Sequence, residues 1–303
     1  MTRRRPTRPA SADDLLSELG RLTAQALERA ELQQARVELA EALQRELLPG
    51  ALPELSGLRT AARYAPARHG LAIGGDWFDG FWLPDGSLGF SIGDVQGHDV
   101  EAAAFMGQVR IGLRAVAGAA GDPGEVLGRA NELLLSMDTP LFATCTYLHF
   151  DPVSWELSYA RAGHVPAIWA TADGQCGVTQ DEGGLPLGVM TGEGYPVEHH
   201  SLPTAGAFVL LTDGVIEGPS FPIEAGLEAA AKVVLAGVDA DPGELAGEVI
   251  KVADLTGHAD DAAVLVLRHD APPDVPPDVP PDAPTDIRTD TPTDAPTAPA
   301  EPV

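Results

Sequence analysis

Between Leu52 and His269, short strand-like runs come in hairpin pairs and helix-like runs also come in pairs. That order restricts the folded part to mixed layers, with antiparallel sheets covered by helices. The strand-like runs are Leu88–Ile92, Phe142–Phe150, Glu156–Ala160, Phe208–Thr212 and Ala262–Leu267. A further short run, Phe81–Pro84, precedes the first of these across Asp85-Gly86, which is hairpin-turn chemistry. Apolar residues at helical spacing predict helices over Val100–Ala117, Pro123–Met137, Ile223–Leu235 and Pro242–Leu255. The four Met and four Trp residues read as core.

The segments on either side have a different character. Residues 1–10, with Arg3, Arg4, Arg5 and Arg8, are expected to form a flexible basic N-terminus. Residues 11–48 contain no proline and only Gly20, so a long helix is expected, closed by Pro49-Gly50. Leu15, Leu19, Leu22, Leu32, Leu39, Leu43 and Leu47 recur at three- and four-residue steps along it. Such a stripe needs an apolar partner, either a second helix in a dimer or linker, or the surface of the following domain. The folded domain occupies residues 49–269. Beyond it, in residues 270–303, an aspartate recurs every fourth residue from Asp270 to Asp294, with Pro or Thr between. That composition offers nothing to bury and predicts a disordered, solvated spacer.

Charge excludes one class of partner. Of the formal net charge of -26, residues 1–50 carry none and residues 270–303 carry -7, which leaves -19 on the middle segment. A domain so acidic repels a phosphate backbone, so no nucleic acid is expected as a partner. Cys145 and Cys176 are too few for a disulfide framework or a thiolate metal site, and both suit a reducing compartment. There is no signal-like apolar run and no stretch long enough to span a bilayer, so the expectation is a cytoplasmic protein without membrane contact.

Four aspartates stand where strand-like runs begin or end: Asp76, Asp94, Asp213 and Asp260. Glycine adjoins the first three, which lets the backbone turn tightly or approach a ligand. A single Asp-Gly is ordinary turn chemistry. Carboxylates gathered from several strand ends are what hard divalent cations such as Mg²⁺ and Mn²⁺ require.

The run Gly74-Gly75-Asp76-Trp77-Phe78-Asp79, followed by Ile92-Gly93-Asp94-Val95-Gln96-Gly97-His98, resembles the opening of the SpoIIE/RsbU branch of the PPM (protein phosphatase 2C-like) serine/threonine phosphatases. Family-like elements follow in order: Asn131-Glu132-Leu133-Leu134, Phe142-Ala143-Thr144, Ala162-Gly163-His164-Val165-Pro166, Gly184-Leu185-Pro186-Leu187-Gly188, Leu211-Thr212-Asp213-Gly214-Val215 and Asp260-Asp261-Ala262-Ala263. The resemblance covers about residues 43–268.

It implies an α+β fold, a four-layer α-β-β-α sandwich of two antiparallel sheets flanked by helices. It implies two Mn²⁺ or Mg²⁺ ions per site, with Asp94 bridging both. The Val95 carbonyl and Asp76 would join Asp94 on one ion, and Asp213 and Asp260 would hold the other. The implied reaction is in-line attack of a metal-activated water on a phosphoserine or phosphothreonine of a protein. By family analogy that protein is a phosphorylated anti-sigma-factor antagonist, and a helical linker of this kind makes a homodimer. The alternative is a non-catalytic phosphatase-fold scaffold that binds a regulatory partner. A degenerate scaffold is expected to have lost some of the four aspartates, and all four are present.

Neighbouring residues carry competing readings. Asp79 could orient a metal water, or serve a turn or cap. Asp261 could supply an outer hydrogen bond, with Asp260 preferred as the ligand. His98 could donate a proton to the leaving group, but a structural hydrogen bond is preferred. His164 reads as a loop brace, and His199-His200 as exposed strand-end residues. Arg63 and Arg68 could touch a substrate phosphate, although the phosphate-gripping arginine of eukaryotic relatives has no evident counterpart here.

Overall fold

The computed structural model describes residues 12–67, 74–97, 100–137, 139–258 and 260–272. The basic N-terminus, His98, Arg68 and nearly all of the acidic tail lie outside them. The elements in order are α1 (Ala12–Leu47), β1 (Leu58–Ala65), β2 (Trp77–Trp82), β3 (Leu88–Val95), α2 (Val100–Ala117), α3 (Pro123–Leu135), β4 (Ala143–Asp151) and β5 (Glu156–Ala162). There follow β6 (Ile168–Thr171), β7 (Cys176–Val178), β8 (Glu198–Ser201), β9 (Gly206–Leu211), α4 (Asp213–Ile216), α5 (Ile223–Ala236), α6 (Pro242–Val249), α7 (Ala253–Thr256) and β10 (Ala262–His269).

Among the described residues, two five-stranded antiparallel sheets result, ordered β1-β10-β9-β6-β7 and β2-β3-β4-β5-β8. Period-two alternation sends the side chains of each strand to two different apolar layers. Phe90, Ile92, Leu148, Phe150, Phe208, Leu210 and Leu265 fill the space between the sheets. Trp77, Val95, Met106, Val109, Leu113, Leu127 and Tyr147 form the layer under α2 and α3. Val209, Leu211, Val264, Val266, Val234, Leu245 and Val249 form the layer under α5 and α6. This is the expected α-β-β-α stack.

Antiparallel pairing places the four aspartates. Trp77 pairs with Gly93, so the start of β2 and the end of β3 share one edge, with Asp76 and Asp94 side by side. Leu211 pairs with Val264, so the end of β9 and the start of β10 likewise bring Asp213 and Asp260 together.

Several expectations need correction. The first hairpin strand begins at Trp77 rather than Phe81, which puts Asp79 inside a strand and not in a turn or cap. The single helix expected over Pro242–Leu255 is interrupted by a 3-10 turn at Ile250–Val252, where β-branched Val249, Ile250 and Val252 cluster. Strands β1, β6, β7 and β8 were not anticipated. β1 is an edge strand of sequence LRTAARYA, whose alanines and arginines carry little strand signal. His199-His200 belongs to edge strand β8: His199 is exposed and pairs with Glu156 at 2.6 Å, while His200 packs on the Trp169 and Phe208 rings. Met190 is exposed rather than core.

Helix α1 leaves Leu16, Leu19, Leu22, Leu27 and Leu32 in solvent, whereas Leu47 and Leu48 at its end pack against the α2–α3 layer. The side chains of Leu15, Leu39 and Leu43 lie outside the described set. No helix among the described residues is long and apolar enough to cross a membrane.

Candidate metal centre

Asp76 and Asp94 come from the β2–β3 sheet, and Asp213 and Asp260 from the β9–β10 sheet, at one end of the stack. Gly75 makes the first approach possible. A side chain there would collide with the Val95 carbonyl oxygen and stand 3.0 Å from Asp94 Oδ1. The Gly75 carbonyl in turn accepts the Val95 N–H at 3.2 Å. In the second pair, a side chain at Gly214 would overlap the Asp261 carbonyl, so only glycine lets the chain after Asp213 lie against residues 260–261.

Two buried polar groups tie the sheets together at this end. The Thr212 hydroxyl donates to Asp76 Oδ2 at 2.7 Å. His164, on the loop after β5, bridges Thr144 Oγ1 at 2.8 Å and the Leu211 carbonyl at 3.1 Å. A carbonyl can only accept, so Nε2 carries the ring proton and the Thr144 hydroxyl donates to bare Nδ1. Thr144 pairs with Asp94 across β3 and β4, so His164 braces the loop after β5 at this end of the sheets, as its sequence context suggested.

The charge around these side chains is of one sign. Burial raises the Asp76 carboxyl well above the usual range and Asp94 adds to the rise, while the Thr212 bond opposes it. Asp94 is pushed up to about 8 by burial, then by the charges of Asp213 and Asp260. Asp213 is raised by burial and by Asp260, against the Gly214 N–H. Buried and half-buried carboxylates that raise one another in this way would be relieved by a cation, and their all-oxygen chemistry fits a hard divalent ion. Among the described residues, no three His, Cys, Asp or Glu side chains stand close enough together to hold an ion as they are.

The structure separates the two adjacent aspartates. Asp260 is exposed and accepts the Asp261 N–H at 2.9 Å. Asp261 is buried and accepts the Ala67 N–H at 2.9 Å, fastening the segment after β1 to the site. Asp79 is not part of the cluster. It points under α2, where Arg110 Nη1 meets its Oδ2 at 3.0 Å. Arg63 lies on the far side of β1, bonded to the Ala62 carbonyl. Two residues are given no role of their own by the sequence, Thr212 and Arg110. A threonine before Asp-Gly looks like a helix cap, but an arginine following Val109 in the apolar stripe of α2 was a usable signal.

The family model described as Stage II sporulation protein E (SpoIIE) matches residues 84–270. The phosphoserine phosphatase RsbU of Bacillus subtilis is 26% identical over 184 residues, covering 60% of this chain and 54% of RsbU. The crystal structure of the RsbU and RsbW domains of Rv1364c from Mycobacterium tuberculosis has a TM-score of 0.67 and 33% identity, over 75% of this chain and 64% of that one. RsbX, solved in complex with magnesium, has a TM-score of 0.56 and 17% identity over 73% of this chain and 99% of its own, a likeness of fold. This chain therefore spans only about half the length of RsbU and less than two thirds of the mycobacterial chain.

Proposed function

The chain belongs to the SpoIIE family, and on that premise we propose that it is a metal-dependent phosphoprotein phosphatase acting on phosphoserine or phosphothreonine. The carrying observation is the meeting of Asp76 with Asp94, and of Asp213 with Asp260, at one end of the paired sheets. Asp76, Asp94 and the Val95 carbonyl would hold one Mn²⁺ or Mg²⁺. Asp94, Asp213 and Asp260 would hold a second. Such a pair of ions supplies an activated water and charge stabilisation for the phosphoryl oxygens.

The protein's own part is electrostatic and positional. Uncompensated, these carboxylates would repel a phosphate dianion, so ion binding and substrate binding are coupled by charge. Gly75 and Gly214 let the backbone come close enough for the ligands to converge, while Thr212 and His164 fix the two sheets against each other. The low exposure of Asp76 keeps bulk water from competing for it.

Two finer readings follow from the relatives. The substrate is a phosphorylated anti-sigma-factor antagonist, supported by the likeness to RsbU and to a chain that joins RsbU and RsbW domains. The protein is a homodimer through α1, supported by the row of exposed leucines from Leu16 to Leu32, which the catalytic domain does not cover.

The deciding experiment is hydrolysis of p-nitrophenyl phosphate by chelator-treated protein, with and without added Mn²⁺ or Mg²⁺. Activity restored by metal supports the proposal. A folded protein inert under every metal condition overturns it in favour of the scaffold.

A further inference from the structure

We propose that Thr212 is a positioning residue for Asp76, locking one carboxylate oxygen so that the other is presented to an ion shared with Asp94; this rests on the metal-site reading above. Thr212 occupies the N-cap position of α4, where a threonine hydroxyl ordinarily accepts a backbone N–H of the first helical turn. Here it makes no such bond. The residue is fully buried, and its hydroxyl is turned across the sheet interface instead.

The hydrogen-bond bookkeeping leaves it a single arrangement. A hydroxyl has one proton to give and two lone pairs. One lone pair takes the Ala263 N–H at 2.8 Å. The proton has two acceptors in range, Asp76 Oδ2 at 2.7 Å and the Ala263 carbonyl at 3.5 Å. The nearer one is the Asp76 carboxyl oxygen, at an ordinary hydroxyl hydrogen-bond length, while the carbonyl lies beyond it. The Ala263 carbonyl is already engaged by the Thr212 N–H at 3.0 Å. Thr212 is thus clamped from both sides to β10, immediately before Asp213 and beside the strand that Asp260 enters. Its one free proton sets where Asp76, from the other sheet, stands relative to that pair. The hydroxyl transmits the register of one half of the site to the other.

The test compares wild type with Thr212→Val, which keeps the shape and removes the proton, and Thr212→Ser, which restores it. Mn²⁺ affinity is measured by calorimetry, alongside the rise in melting temperature that Mn²⁺ produces and the melting temperature without metal. Positioning predicts that Thr212→Val binds Mn²⁺ about 10–100-fold more weakly. Thr212→Ser should bind close to wild type. The lost Ala263 bond lowers the metal-free melting temperature of the valine variant, but that readout is separate from ion affinity. Should the valine variant fail to fold, Thr212→Ala against Thr212→Ser repeats the comparison with the same expectation. Equal Mn²⁺ affinity with and without the hydroxyl overturns the role of Thr212 and leaves the metal site standing. A wild type that takes up no Mn²⁺ by calorimetry removes both.

Discussion

Arg110 Nη1 on α2 lies 3.0 Å from Asp79 Oδ2 on β2, and Asp79 is wholly buried in the apolar layer between Trp77 and Phe81. Arg114, 4.0 Å from the same oxygen and stacked over the Phe81 ring, and the Gly80 N–H complete the environment of the carboxylate. Burial raises the Asp79 carboxyl, against the opposing pull of Arg114 and Arg110. Such pairs add little net stability compared with apolar residues of the same size, but removing one member strands the other.

Arg110→Met is therefore expected to lower unfolding free energy by about 3 kcal/mol, the low end for a broken buried pair because Arg114 stays nearby. The double variant Arg110→Met/Asp79→Leu should recover most of the loss. Urea denaturation of the two variants measures the difference. A single variant as stable as wild type would show that the pair is not buried as described.

Asp94→Asn should leave the fold intact and remove metal-dependent phosphatase activity. Loss of an outer hydrogen-bond partner at a metal site costs roughly 10–100-fold, and loss of the ligand proposed to bridge both ions should exceed that. Circular dichroism and hydrolysis of p-nitrophenyl phosphate at saturating Mn²⁺ measure the two halves of the expectation. Full activity in this variant would remove Asp94 from the site.

His164 makes stability sensitive to acid. Burial, with Arg161 nearby, holds its ring down to about 3, against the Leu211 carbonyl bond. An unfolded histidine takes up its proton near 6.5. The contribution of His164 is complete above about pH 6.5 and declines as pH falls toward 3, because the unfolded chain binds a proton that the folded one refuses. By pH 5 the loss amounts to about 2 kcal/mol. Urea midpoints at pH 7 and pH 5 should therefore diverge more in wild type than in His164→Gln, and equal divergence would count against a neutral, buried ring.

Helix α1 should carry self-association. Light scattering of the full chain is expected to give twice the 31.5 kDa of one chain, and a variant lacking residues 1–45 should give the monomer value. A full-length chain that stays monomeric, and is equally active without the helix, would dissociate α1 from both assembly and activity.

Most of the layer order could be read from the sequence, because strand and helix periodicities are local properties. Val100–Ala117 has the bounds that its apolar spacing indicated, and the strands from Leu88, Glu156 and Ala262 begin where their apolar runs do. The strands that escaped notice are short or lie at sheet edges, where half-exposed positions carry Arg, His and Ala instead of β-branched residues. Asp76, Asp94 and Asp213 stand out through their glycine neighbours, and the family resemblance groups Asp260 with them.

Which atoms hold those aspartates in place depended on folding. Asp76 and Thr212 are 136 residues apart, and Asp79 and Arg110 are 31 apart. No spacing rule links either pair, since each contact exists only once two sheets, or a helix and a sheet, have packed. Sequence determined what the chain is made to bury and which side chains suit a hard cation. Tertiary structure decided that the Thr212 proton faces Asp76 instead of capping a helix, and that Asp79 answers to an arginine in the core. The physical reason is that a buried polar group must find its partner in whatever space packing leaves, and that space is a property of the assembled layers.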